Sequence, residues 1–321
     1  MSENTYIGID VGRQIRGALV RDDGTILQQQ KVVAEVSDPQ IFIKQLTDVI
    51  NGLRQSEEAQ GRAAAAGIGW AGMVNHRQQR VEITPNMIDI SAFDLHDELQ
   101  QATSLPIVFD NDANVAAYGE WRCGAAKDCS DVFFITMGTG IGSGLILGNQ
   151  LQRGTRGFAG EFGHFKIGGG LECACGSVGC LETLASGPNI VRRVREQLFS
   201  DPAFSLSRLA QDMAGVINFE RVVQAALEED QLALSVLEET AKTLGAAIAS
   251  VINLLNVEVV VIGGGVMTAG ELILNPIREE VFKDAIAPAH ACCRIVAAEL
   301  GQQAGIIGAA LLARDSMQEY E

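Results

Sequence analysis

The chain of 321 residues is long enough for two domains, or one large one, at ~100–200 residues per domain. Hydrophobic residues make up 47% and charged ones 20%, with no apolar run near the ~18 residues of a membrane span, so membrane and disordered classes fall away. Lys and Arg number 24 against 40 Asp and Glu; the net charge of −16 repels phosphate backbones and argues against nucleic acid as the main partner.

The first forty residues predict a β-meander over Tyr6–Asp10, Ile15–Val20 and Thr25–Val33, with Asp22-Asp23-Gly24 turning the chain between the last two. A helix with apolar positions Ile41, Leu46, Val49, Ile50 and Leu53 starts behind Ser37-Asp38-Pro39, which supplies a capping side chain and a first-turn proline. Ala65–Trp70 predicts a buried strand and Leu95–Ala102 a helix. The next strand, Pro106–Phe109, ends at Asp110-Asn111-Asp112-Ala113-Asn114, so polar groups gather where strand meets helix. Val132–Thr136 is a further strand, joined by Met137-Gly-Thr-Gly-Ile-Gly-Ser-Gly144 to a strand over Leu145–Leu147 that turns at Gly148-Asn149. Helices are expected over Gly187–Phe199, Ser205–Met213, Phe219–Glu228 and Leu232–Leu255. A buried strand over Val257–Ile262 breaks at Gly263-Gly264-Gly265. A helix over Ala269–Ala287, a strand over Arg294–Ala297 and a helix over Ala304–Ala313 complete the chain, whose two strand-plus-helix stretches point to two related halves.

The glycine segment 138–144 lacks the helix that a dinucleotide fingerprint needs after its turn. It fits either a plain β-hairpin or a phosphate cradle of converging backbone N–H groups, with Thr136 and Thr139 adding hydroxyls. The turn Asp10-Val11-Gly12-Arg13-Gln14 fits ordinary hairpin chemistry, or a carboxylate that holds Mg²⁺ through water beside a phosphate. Asn111 and Asp112 suit the N-cap of the helix beginning near Ala113. A carboxylate at that strand end also lies where α/β folds build ligand sites, and could accept a proton from an alcohol. His164 with Cys173, Cys175 and Cys180 fits a structural Zn²⁺ site of soft thiolates and an imidazole; the Cys-x-Cys and Cys-x4-Cys spacing fits free buried thiols as well. With a metal in place, Glu161 and Glu182 become rigidly mounted acceptors for hydroxyl groups. Cys123, Cys129, Cys292 and Cys293 are packing residues or free thiols, and the unremarkable N-terminus, Met1-Ser2-Glu3-Asn4-Thr5, predicts a cytoplasmic protein.

Taken together these residues resemble the ROK family of bacterial sugar kinases and sugar-responsive repressors. The resemblance covers nearly the whole chain. Its strongest parts are Asn111-Asp112-Ala113-Asn114 with Gly119-Glu120-Trp121, Gly138-Thr139-Gly140-Ile141-Gly142, Gly160-Glu161-Phe162-Gly163-His164 with Cys173-x-Cys175-Gly-x-x-Gly179-Cys180-Leu181-Glu182, and Gly263-Gly264-Gly265-Val266. It implies an α/β, actin/hexokinase-like (ribonuclease H-like) duplicated fold of two domains with an interdomain cleft. Residues 1–118 plus 304–321 would form the smaller domain and 119–303 the larger, zinc-binding one. It also implies ATP-dependent phosphorylation of a hexose hydroxyl, usually at C6, with Asp112 as general base. Gly72, Asn86, Asn111, Glu161, His164 and Glu182 would bind the sugar. Asp10, Gly12, Arg13, Gly138, Thr139, Gly140 and Gly263 to Gly265 would bind ATP, whose Mg²⁺ assists transfer, and His164, Cys173, Cys175 and Cys180 would hold Zn²⁺. The family is most often homodimeric.

The chain departs from the family at the first phosphate turn, usually Asp-x-Gly-Gly-Thr, where Arg13-Gln14 stands and one residue is lacking. Either Arg13 or Gln14 replaces the lost donors, an arginine strongly through its planar fork, or γ-phosphate binding is weakened and the protein is a slow enzyme or a sugar sensor without turnover. Strand β-structure beginning at about Tyr6 leaves no N-terminal DNA-reading module, which the charge agrees with. Glucose is the first choice of substrate. N-acetylglucosamine, N-acetylmannosamine, allose and fructose are the alternatives, with specificity expected in the loops over 72–93.

Overall fold

The computed structural model describes residues 4–84, 88–204, 207–211 and 217–318. The meander forms as β1 (Thr5–Val11), β2 (Gln14–Arg21) and β3 (Ile26–Val33), followed by β4 (Ala63–Trp70), a short hairpin of β5 (Met73–Asn75) and β6 (Arg80–Ile83), and β7 (Ile107–Asn111). The first sheet has the order β3-β2-β1-β4-β7, antiparallel across β1–β3 and parallel from β1 through β4 to β7. Ile7, Ile9, Ile15 and Ile68 bury one of its faces beneath helix Pro39–Arg54, whose N-cap Asp38 accepts from the amides of Gln40 and Ile41. That helix buries Phe42, Leu46, Val49, Ile50 and Leu53, while Ile41, expected on the apolar stripe, is 49% exposed because Phe42 takes the inward position. Trp70 is fully buried, with the Phe42 ring edge-on at 5.7 Å. The opposite face receives helix Ala304–Gln318, with Ala18, Val20 and Ala65 against Ile306 and Ala310.

The second sheet has the order β10-β9-β8-β11-β12, made of β8 (Val132–Met137), β9 (Ile141–Leu147), β10 (Gln150–Leu151), β11 (Val259–Gly263) and β12 (Arg294–Ala297). The glycine turn is shorter than the sequence predicts: only 138–140 remain outside strands, because Ile141 to Gly144 already belong to β9. The helix expected over Ala269–Ala287 divides into Glu271–Asp284 and Ala287–Ala291, with Ala285 and Ile286 in extended conformation between them. Of the helix expected over Ser205–Met213, Arg208–Gln211 is helical, and 205–206 and 212–213 lie outside the described residues. No helix among the described residues is long and apolar enough to cross a membrane.

Residues 1–134, 144–160 and 298–321 form one compact unit and 135–143 with 161–297 a second. This grouping keeps 119–134 and 298–303 with the first unit, where the sequence reading divided the chain at 118 and 304. The physical tie is Glu120, fully buried, whose carboxylate accepts from the backbone amides of Ala125, Glu299 and Leu300.

Candidate active site

In the first unit the end of β7 turns into helix Asp112–Cys123, and the turn is held by its own polar side chains. Asn111 is the N-cap: its Oδ1 accepts from the amides of Ala113 (2.9 Å) and Asn114 (3.1 Å), and its Nδ2 donates to the carbonyl of Gly72 at 3.0 Å. Gly72 has φ of 155°, a value near the extended range, and follows the end of β4, where Trp70 pairs with Asn111 in parallel register. Asp112 is the first helical residue, half-buried, with Oδ1 2.9 Å from the amide of Ala113. A carboxylate in the first turn of a helix is stabilised as the anion, the form that accepts a proton.

Behind Asp112 lies a buried network that sequence reasoning did not assign. The Asp110 side chain is 2% exposed and accepts from Asn111 N (2.8 Å), Asn114 Nδ2 (2.8 Å) and Arg153 Nε (2.5 Å). A carboxylate this deep needs a counter-charge, and Arg153 provides it. Asp110 is part of the polar cluster visible in the sequence; Arg153, 43 positions away, carries no local signal.

The first turn differs from the expected phosphate turn in a specific way. Asp10 and Arg16 are cross-strand partners in the β1–β2 register and form an ion pair. Burial pushes the Asp10 carboxyl above its ordinary range, and the guanidinium opposes this. The Gly12 amide donates to Gln14 O at 3.1 Å, which closes the turn, while Arg13 is exposed and its side chain makes no hydrogen bond among the described residues. The Asp10–Arg16 pairing follows from the hairpin register, so two-residue alternation on either side of the turn is the signal that would have found it.

In the second unit the glycine hairpin, Glu182 and the cysteine loop come together. The Gly138 amide donates to Gly140 O (2.9 Å), and Gly138 O accepts from Gly187 N (2.9 Å) at the start of helix Gly187–Ser200. Glu182 Oε2 accepts from Ile141 N at 2.8 Å, and a Cβ on Gly140 would lie 2.5 Å from the same oxygen, so this glycine admits the carboxylate. Thr139 is exposed at the turn. Gly264, at φ 87°, fits against the backbone of Met137, where a Cβ would come within 2.3 Å of the carbonyl oxygen; Gly265 has open space around it. Burial lifts the Glu161 carboxyl above its usual range, with His164 opposing and Glu182 adding to the rise. Glu161 Oε2 stands 3.8 Å from His164 Nε2.

The other imidazole nitrogen faces the cysteines. His164 Nδ1 is 3.7 Å from Cys173 Sγ, Cys175 Sγ is 3.7 Å from Cys180 Sγ, and the four ligand atoms lie within 4.8 Å of one another. A tetrahedral Zn²⁺ with ~2.3 Å bonds to sulfur places its ligands ~3.8 Å apart, so the 3.7 Å pairs already have that spacing and the wider ones need to close by about 1 Å for the four residues to hold the ion. Lys166 Nζ donates to Val178 O (2.9 Å) and lies 3.2 Å from Cys180 Sγ, a cation beside the cysteine sulfurs. Asn86 lies outside the described residues.

The chain is similar to known proteins along nearly its whole length. The ROK family pattern matches residues 6–316. A glucokinase from Streptomyces coelicolor is 35% identical over 314 residues, 96% of this chain and 97% of its own. The crystal structure of a ROK family glucokinase from Streptomyces griseus in complex with glucose and AMPPNP is 36% identical, with a TM-score of 0.83 over 97% of this chain and 100% of that one. The xylose repressor of Bacillus subtilis is 28% identical over 305 residues, covering 94% of this chain and 75% of the repressor. The fold is therefore the actin/hexokinase-like α/β fold, and the chain belongs to the ROK family.

Proposed function

We propose that this protein is a sugar kinase that transfers the γ-phosphoryl group of ATP to a hexose hydroxyl, C6 of glucose being the first choice, with Asp112 as general base. The observation that carries the reading is the β7 turn, where Asn111 caps the helix and fixes Asp112 in its first turn, in a chain 35% and 36% identical to two Streptomyces glucokinases along nearly its full length. In-line phosphoryl transfer asks little covalent work of a protein: an oriented nucleophile, a place for its proton and donors for the phosphate oxygens. Asp112 takes the hydroxyl proton. Gly72, Asn86, Asn111, Glu161, His164 and Glu182 orient the sugar. Gly138, Thr139 and Gly140 offer the β8–β9 turn to the phosphates, with Gly263 to Gly265 toward the nucleoside. Asp10, Gly12 and Arg13 complete the ATP end, and the unengaged Arg13 guanidinium stands in for the missing glycine and threonine. Mg²⁺ bound with ATP supplies charge neutralisation. Zn²⁺ held by His164 Nδ1 and the three cysteines orients the imidazole whose other nitrogen faces Glu161.

The test is ADP release by the zinc-loaded protein with Mg·ATP and a panel of hexoses and N-acetylhexosamines. We expect turnover with one sugar and a fall of about 10²–10⁴-fold in Asp112→Asn, with sugar binding kept. An unchanged rate in that variant removes Asp112 as base. N-acetylglucosamine, N-acetylmannosamine, allose or fructose turnover would rename the substrate. The relation to a xylose repressor and the altered Asp10 turn favour a second reading, a sugar sensor without turnover. It predicts no ADP release with any sugar while one of them still raises the melting temperature. Homodimerisation and a cytoplasmic setting, implied by the family, belong to the same proposal.

A further inference from the structure

We propose that a cavity behind the Asp112 turn, wholly within the first unit, binds a phosphorylated small metabolite and is coupled to Asp112 through Arg153 and Asp110. The cavity measures about 980 Å³, within the size range of small-molecule sites, and its charged lining is Arg77, Arg122 and Arg153 against Asp315 alone. In a chain of net charge −16 this wall presents three guanidinium groups, two of them with a carboxylate partner and Arg77 without one among the described residues, and the remaining positive charge favours an anion.

The three arginines differ in how much they have left to offer. Arg122 stands 3.2 Å from Asp315 and lies over the rings of Tyr118 and Trp121, so that carboxylate is already matched. Arg77 is exposed and its side chain makes no hydrogen bond among the described residues. Arg153 commits only its Nε, to Asp110, which leaves its terminal amino groups as donors. Guanidinium groups recognise phosphate oxygens in bidentate fashion, and His76 joins them on the same wall. A bare phosphate would fill a small part of this volume. Trp121, Leu151 and Leu312 give the remainder an apolar lining, which suits a phosphate carried on an organic body.

The coupling follows from what Arg153 already holds. Asp110 is buried, it accepts from Asn111 and Asn114 on either side of Asp112, and Arg153 is its counter-charge. A phosphate competing for Arg153 changes the charge balance of that carboxylate and so the set of the turn. Thermodynamic linkage requires that ligands at Asp112 alter phosphate affinity by the same factor. Binding at the cavity stands by itself, whereas its effect on turnover rests on the kinase reading above.

The chain has two tryptophans: Trp70 is fully buried in the core and Trp121 is on the cavity wall, so Trp121 fluorescence reports occupancy without sugar or ATP present. The protein is titrated with inorganic phosphate, and separately with a hexose 6-phosphate, at constant ionic strength against chloride. We expect saturation with a dissociation constant on the order of 1 mM or below, weakened at least ~10-fold by Arg77→Glu and absent in Trp121→Phe, and a change in turnover with the same midpoint. Tighter binding of the hexose phosphate identifies an organic phosphate as the ligand; equal binding identifies inorganic phosphate and overturns the metabolite. No saturation, or an equal response to chloride, overturns the site. Saturation with unaltered turnover overturns the coupling, and saturation in a protein that releases no ADP keeps the site while removing the kinase reading.

Discussion

The Asp10–Arg16 pair shows how a buried carboxylate beside the first turn is matched by a partner across the hairpin. Burial raises the Asp10 carboxyl, so the folded state favours its protonated form, and that contribution is present at low pH and lost as pH rises through the raised value. Arg16, with its side chain 30% exposed, limits the loss by supplying a counter-charge. Arg16→Met should therefore cost about 1–3 kcal/mol near pH 7.5 and much less near pH 4, where a protonated Asp10 needs no partner. Denaturant unfolding at the two pH values measures this; an equal cost at both would mean that Arg16 acts by packing alone. At this scale the sequence displays the residues that share a short stretch, such as Asn111 with Asp112 or Cys173 with Cys175. Arg16 is reached from Asp10 only by carrying the strand alternation through the hairpin register, and Arg153, joined to Asp110 across a long loop, is hidden because nothing local to either residue encodes the other.

At the scale of elements, apolar alternation and capping residues suffice for the strands and helices of the first sheet. The spacing between layers is set by something periodicity does not display. Helix Ala304–Gln318 approaches β1 and β4 so closely that a Cβ on Gly8 would lie 1.8 Å from Ile306 O and one on Gly67 1.9 Å from Ala309 O. Gly308 meets helix Asp112–Cys123 in the same manner, 1.7 Å from Val115 O. A glycine inside a helical pattern reads as a propensity defect, and here it is the condition for two backbones to touch. Gly308→Ala must push the helices apart, and we expect a loss above ~3 kcal/mol, measured as a fall in the denaturation midpoint; a loss under ~1 kcal/mol would show that the helices can slide. The loop over 164–182 is the opposite case, with no strand pairing beyond isolated bridges, Lys166 with Cys180 and Glu172 with Val178. Removing zinc with a chelator should speed amide exchange over 165–180 and around Glu161 and leave β1 and β4 unchanged. Exchange unchanged in this loop would mean that the four ligand residues are held without metal.

For the molecule as a whole, the closure of the first unit by its C-terminal segment is fixed by contacts far apart in sequence, and there the family resemblance saw more than the residues alone could explain. Gly119-Glu120-Trp121 belongs to the motif that marks the family, yet its spacing assigns Glu120 no task. In the folded protein Glu120 is fully buried: Oε2 accepts from Ala125 N at 2.9 Å and Glu299 N at 3.1 Å, and Oε1 from Leu300 N at 2.8 Å. The segment that returns from the second unit is thus tied to the helix that carries Asp112, within the first unit. Glu120→Gln keeps the shape and volume of the side chain. Its amide nitrogen, in either orientation, must face at least one of these backbone N–H groups, leaving a buried donor without an acceptor. The expected cost is about 2–4 kcal/mol, since charge-assisted bonds to buried amides are replaced by a donor facing a donor. Thermal unfolding should shift down accordingly, with exchange rising first at Ala125, Glu299 and Leu300, whose amides are freed. A variant as stable as the parent would place the tie elsewhere, in the packing of Gly119 against the carbonyl of Ala304, where a Cβ would come within 2.4 Å.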